Sequence, residues 1–304
     1  MKHRLQRRLK RAGNAAAGAL AVGVLKFLRL FPYDKTADGA AWVARKLGPL
    51  VREHRIGREQ LKAAFPEKSA AEIEKILAGV WDNLGRIGAE FAHLDHIWDY
   101  DLDHPDKPSR IEFDARTKQL FDALRDDGKP AIIFASHTGN WEIPALGAVA
   151  HGLDCAILFR RPNSEAADRA IEQTRAVKMG TLVAAGRDAP FKLGQALQNG
   201  QHVAMLVDQW FTNGVDVTFF GRKTKANPTL ARLLRQVECP IHGVRIIRLP
   251  NHRFRAELTE EVKPARDAAG NIDIQGTMQA VTSVIEGWVR EYPDQWLWLH
   301  RRWR

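Results

Sequence analysis

Residues 131–142 read AIIFASHTGNWE, and this stretch decides the fold. Ala131, Ile132, Ile133, Phe134 and Ala135 form an uninterrupted apolar run, bounded upstream by Gly128 and Pro130. A short apolar run with such boundaries is the pattern of a core strand in an α/β sheet. The chain then turns polar through Ser136, His137, Thr138, Gly139 and Asn140. From Trp141 to Ala150 it returns to an apolar, helix-compatible pattern, with Pro144 in the first turn. His137 is therefore predicted just past the carboxyl end of a strand, where open α/β sheets place their chemistry.

His137 and Glu142 are five residues apart. On one regular helix that spacing is about 500° of rotation, so their side chains would not share a face. They meet only if the intervening chain bends, and Gly139 and Asn140 tolerate a bend. A carboxylate on one imidazole nitrogen fixes the tautomer and raises the basicity of the other nitrogen. The spacing itself is unselective: with eleven histidines and 36 acids in 304 residues, about one such pair arises by chance. Four occur, at His54/Glu59, His96/Asp101, His137/Glu142 and His252/Glu257. Only the third follows a core strand and spans a Gly/Asn turn. His137 is the expected general base and Glu142 its orienting carboxylate.

Further strands are expected at 156–159, 182–184, 202–207 and 215–220, and at 241–249 and 254–258 around a Pro-Asn turn. Helices are expected at 42–58, 117–126, 166–179, 191–198, 229–236 and 274–292. Ser69 and Glu72 form a capping box opening a long helix whose apolar face includes Ile73, Leu77, Val80 and Ile87. Glu90 and His93 near that face read as structural. The alternation predicts a mainly parallel sheet flanked by helices, with a helical cover at about 40–98 and an α/β core at about 110–304. Polar clusters follow three strands, at His137, at Arg160 and Arg161, and at Asp208, so one site on one sheet edge is expected. Asp208 is expected to pair with an arginine, Arg161 being the candidate. Asn140 in the turn and Arg175 on the 166–179 helix complete the residues expected around a substrate.

Net charge is +10, which suits an anionic partner. No helix-turn-helix, zinc finger or RNA-binding signature is present, so nucleic acid is not the expected partner. Cys155 and Cys239 give no disulfide framework, and no Cys/His cluster has zinc-ligand spacing. Residues 1–12 carry six Lys and Arg without an acid, and an apolar run of about eleven residues follows. That run is short for a membrane-spanning helix, which needs about 20. The expectation is a membrane-associated segment over 1–32, held at the interface with its basic residues on the cytoplasmic side. A signal peptide and an ordinary docking helix are the alternatives.

Several segments together resemble a known family. SHTGNWE, FRRPN, LVDQW, FFGRK and the terminal PDQWLWLHRRW are similar to the late lipid A acyltransferases, the lauroyl/myristoyl transferases of Gram-negative bacteria. The resemblance extends from about residue 55 to the end. It implies a glycerolipid-acyltransferase-like fold with an HxxxxD/E motif, here His137 to Glu142. It also implies transfer of a fatty acyl chain from acyl carrier protein to a hydroxyl of a lipid A precursor, at the cytoplasmic face of the inner membrane, with no cofactor. By the family pattern Arg161 and Asp208 sit near the site, and Arg160 stands where an aromatic residue is more usual. Another glycolipid or phospholipid acceptor is the nearest alternative. A thioesterase or lipase-like hydrolase is the next, although no G-x-S-x-G nucleophile elbow is present. A non-catalytic lipid-binding protein is the third, and it would leave the polar clusters at the strand ends unexplained.

Overall fold

The computed structural model describes residues 2–101, 104–161 and 179–304. Helix α1 (Lys2–Leu28) leads into α2 (Tyr33–Leu47). The helix expected over 42–58 is broken by Gly48-Pro49. Pro49 lacks the N–H that a continuing helix needs, so a 3-10 turn (Gly48–Leu50) intervenes before α3 (Arg52–Ala64). Gly48 also lies flat against Trp81, where a Cβ would come within 2.2 Å of the ring. The capping box opens α4 (Ala70–Glu90) as expected: Ser69 and Glu72 bond each other reciprocally. A 3-10 turn (Phe91–His93) and the short α5 (Leu94–Ile97) follow.

The core is a seven-stranded sheet. Its strands are β1 (Ile111–Glu112), β2 (Ile132–Ala135), β3 (Cys155–Phe159), β4 (Thr181–Ala184), β5 (His202–Leu206), β8 (Ile241–Leu249) and β9 (Arg253–Leu258). Their order is β1-β9-β8-β2-β5-β3-β4, and every neighbouring pair is parallel except β8 with β9. That exception is the expected hairpin, with Asn251 and His252 at positive φ in its turn. The strand expected over 215–220 forms as β6 (Val215–Phe219), outside the main sheet. It pairs with β7 (Arg222–Ala226) in a separate hairpin. β7 shows no strand pattern in the sequence, because its RKTKA residues are mostly charged.

Alternate residues of the central strands serve two layers. Ile132, Phe134, Val203 and Met205 join a core shared with the helices Ala189–Gln198, Thr229–Gln236 and Ile274–Glu291. On that side Phe134 stacks on Trp288 at 5.7 Å between centroids. Ile133 and Ala204 face the opposite layer, with Ala148 of α7 (Ile143–Ala150) and Leu124 of α6 (Ala115–Asp126). Pro144 lies in the first turn of α7 as expected. Among the described residues no helix is long and apolar enough to cross a membrane. The helix expected over 166–179, with Arg175, lies outside the described residues apart from Met179.

Candidate active site

The register of two neighbouring strands builds the site. Ala135 of β2 lies opposite Leu206 of β5. His137 and Asp208 each follow two residues later, so both leave the same sheet edge side by side. His137 Nδ1 and Asp208 Oδ1 are 2.8 Å apart, and the backbone N–H of His137 donates to Asp208 Oδ2 at 2.9 Å. Trp296 Nε1 donates to the same Oδ2 at 2.8 Å. The carboxylate bonded to the His137 ring is therefore Asp208, not the expected Glu142. The expected arginine pairing of Asp208 is likewise corrected: its oxygens are taken by His137 and Trp296.

Glu142 stands immediately before α7, buried, on the wall of the cavity that His137 also lines. Its influence on the ring is electrostatic. Burial pulls the His137 pKa down, but the charge and hydrogen bond of Asp208 and the charge of Glu142 together raise it above the ordinary imidazole value. Asp208 is opposed by its own burial, yet the His137 charge and its hydrogen bonds hold it well below the usual carboxylate range. With Nδ1 facing the Asp208 carboxylate, a neutral His137 carries its proton there and has its lone pair on Nε2. Gln209 Nε2 lies 3.4 Å from that atom.

One pH dependence follows. A base with a raised pKa loses its neutral form as pH falls, so the acid limb of activity should lie above the ordinary imidazole value of about 6.5. Glu142→Gln removes one of the raising charges and should move that limb to lower pH. Asp208, the larger cause, should move it further. A pH profile of kcat/KM for the Gln variant checks this; an unmoved limb would contradict the charge coupling.

The turn carrying His137 is fixed from several sides. Gly139 has φ of 58°, and a Cβ there would sit 1.9 Å from the Ile246 carbonyl oxygen, so only glycine fits. Its N–H donates to Gln295 O, and the N–H of Leu297 donates to His137 O. Asn140 is fully buried. Its amide donates to Glu90 Oε2 at 2.8 Å, and its carbonyl accepts the Glu142 N–H at 3.0 Å. Both ends of this side chain are thus spent on holding the turn. Glu90 is itself fully buried and paired bidentately with Arg248, which also donates to Asn83 at 2.9 Å. Asn83 in turn donates to Gly139 O at 3.1 Å. A buried, fully partnered network of this kind fixes one geometry. Glu90 was read as structural, and it holds the turn that carries His137.

Beside His137 opens a cavity of about 720 Å³. Its walls are mostly apolar and span the sheet from its carboxyl edge to its base. Leu158 and Leu206 line it near His137, Ile133 and Ala204 at mid-strand, and Leu153 and Cys155 at the amino ends of the strands. Cys155 serves as wall: burial and then Asp154 push its thiol up to about 12, so it is not a thiolate nucleophile. Arg160 and Arg161 are both exposed, and of the two Arg160 lines the cavity. Three residues without a role in the sequence reading belong here. Gln209 was quoted beside Asp208 without a function. Trp296 and His300 sat in the terminal PDQWLWLHRRW segment, where neither was given a role. His300 lines the cavity next to His137, with its pKa lowered by burial and then by the His137 charge.

A histidine bonded to a buried carboxylate thus stands at one end of a deep, mostly apolar cavity, an arrangement that suits a proton-transfer group beside a pocket for an apolar ligand. The comparison with known families agrees. The chain belongs to the bacterial lipid A biosynthesis acyltransferase family, whose model matches residues 5–304. No curated protein matches it.

Proposed function

We propose that this acyltransferase moves a fatty acyl chain from the thioester of acyl carrier protein to a hydroxyl of a lipid A precursor, at the cytoplasmic face of the inner membrane. The observation that carries the reading is the 2.8 Å contact between His137 Nδ1 and Asp208, with the ring lining the apolar cavity. The acyl chain lies in the cavity and presents its thioester carbonyl beside His137. The acceptor hydroxyl attacks that carbon while Nε2 takes its proton. The tetrahedral intermediate then collapses, the C–S bond breaks, and the leaving sulfur takes the proton back from the imidazolium. Asp208 holds the ring and stabilises its positive charge, as the acid of a catalytic triad does. Glu142 adds a second, more distant negative charge. Arg160 supplies a positive charge at the cavity for the oxyanion or for a lipid phosphate.

The test is an assay of purified protein with acyl carrier protein thioester, with and without lipid acceptor. Acylated lipid formed only when the acceptor is present supports the reading. Release of free fatty acid alone would replace it with a hydrolase, and no turnover would leave a lipid-binding protein.

The cavity also sets an expected specificity. Ala204 sits at mid-depth, in register with Ile133 on one side and Ile157 on the other. Ala204→Phe should obstruct the deeper half and shift donor preference to shorter acyl chains. Each methylene in an apolar pocket is worth roughly 10- to 200-fold in discrimination, so the preferred donor should lose at least about tenfold. Competition between donors of graded length measures this; an unchanged preference would show that the chain does not occupy the cavity.

A further inference from the structure

We infer that α2 and the 3-10 turn after it form a second docking surface for an anionic phospholipid bilayer, on the folded body of the enzyme and separate from α1. The surface builds on the membrane location proposed above, but its evidence is its own. Fourteen large apolar side chains are exposed among the described residues, and ten of them lie between Leu20 and Val51. Leu20, Val24 and Phe27 form a stripe on α1, and Leu30 and Phe31 follow just after its end. The other group is Trp42, Val43, Leu47, Leu50 and Val51, on α2 and its following turn.

Helix α2 is apolar on two faces, for two different reasons. Its inner face uses small residues, Thr36, Ala37 and Ala41, to pack closely against α4. The outer face carries Trp42 and Val43, between Lys35 and Lys46 at helical spacing. A soluble protein normally spends large apolar residues on the inner face. Here they point away from the body, together with Leu50, which is 78% exposed.

Charge identifies the occupant. The first 55 residues hold thirteen Lys and Arg against three Asp and Glu, a net of +10. The remaining 249 residues hold 33 of each sign, so the entire net charge of the chain lies in this segment. On α2 and the turn after it, large apolar side chains interleave with the exposed Lys35, Lys46 and Arg52, which form no ion pair among the described residues, and this mixture fits an interface of anionic headgroups over acyl chains. A tryptophan at its centre suits the same depth. A protein partner or a second copy of this chain would have to bring a matching acidic surface, and residues 56–304 are neutral overall.

The second contact has a consequence for the site. One helix lying in the interface leaves the body free to swivel about it, whereas two contacts fix its orientation. Helix α2 is rigidly tied to the catalytic turn: Tyr33 at its start donates to Glu90 at 3.2 Å, and Glu90 holds Asn140.

The test uses full-length protein, with α1 intact, and vesicles of phosphatidylethanolamine with or without phosphatidylglycerol. Binding is read by co-sedimentation without donor or acceptor, so its outcome is independent of the acyl-transfer reading. The Leu47→Glu/Leu50→Glu variant should bind at least roughly tenfold more weakly. Lys46→Glu and Arg52→Glu should each cost about fivefold or more, and only with phosphatidylglycerol present. A fluorophore on Leu50→Cys should be quenched by nitroxide-bearing lipids, and thermal unfolding should show each variant folded. Unchanged partition of the Leu47→Glu/Leu50→Glu variant, or a label that stays in water, overturns the proposal. So does a stable dimer that this double substitution dissolves.

Discussion

His137→Ala should lower acyl transfer by about 10²- to 10⁴-fold, the range a positioned general base contributes, with donor binding largely retained. In the proposed mechanism the group that takes the hydroxyl proton is then gone, whereas the cavity keeps its other walls. Losing the ring also removes a partner of the buried Asp208 carboxylate, which keeps the His137 N–H and Trp296. His137→Gln is the control, because its amide can still donate to Asp208 but cannot accept and return a proton at neutral pH. Both variants should unfold thermally as cooperative units. Near-normal transfer to lipid by either folded variant would refute the role of the ring.

Asp208→Asn should be nearly as severe, about 10³- to 10⁴-fold, as amide replacement is in hydrolytic triads. An asparagine turned to donate to Nδ1 favours the tautomer with the proton on Nε2, and that tautomer has no lone pair for the hydroxyl. The residual activity should also titrate differently. Burial continues to pull the ring pKa down while its largest raising cause is gone, so the acid limb should move to lower pH, further than in Glu142→Gln. Steady-state profiles on both variants compare the two shifts directly. A larger shift from the Glu142 substitution would return the orienting role to that residue.

The sequence carried the strand, the Gly/Asn turn and the placement of His137, because these depend on local apolar pattern and turn chemistry. It also carried the family. The identity of the orienting acid was not legible. Glu142 is near in sequence, but Asp208, 71 residues away, is near in register, because β5 inserts between β2 and β3. The available clue was that Asp208, like His137, ends an apolar strand. Trp296 was hidden for the same reason: its contact comes from the terminus folding back to bridge Thr138. Glu90, near an otherwise apolar stripe, was read only as structural, and the fold reveals its partners as Arg248 and Asn140.

The central claim is that His137 and Asp208 act as one catalytic unit on an acyl thioester. Residues that work through a single proton transfer are far from additive. The direct measurement is lipid-acceptor acylation, counted by mass spectrometry, for His137→Ala, Asp208→Asn and the double variant. The double variant should be no slower than His137→Ala alone, since the carboxylate has nothing left to orient. Losses that multiply, so that the double variant falls by the product of the two single effects, would contradict it.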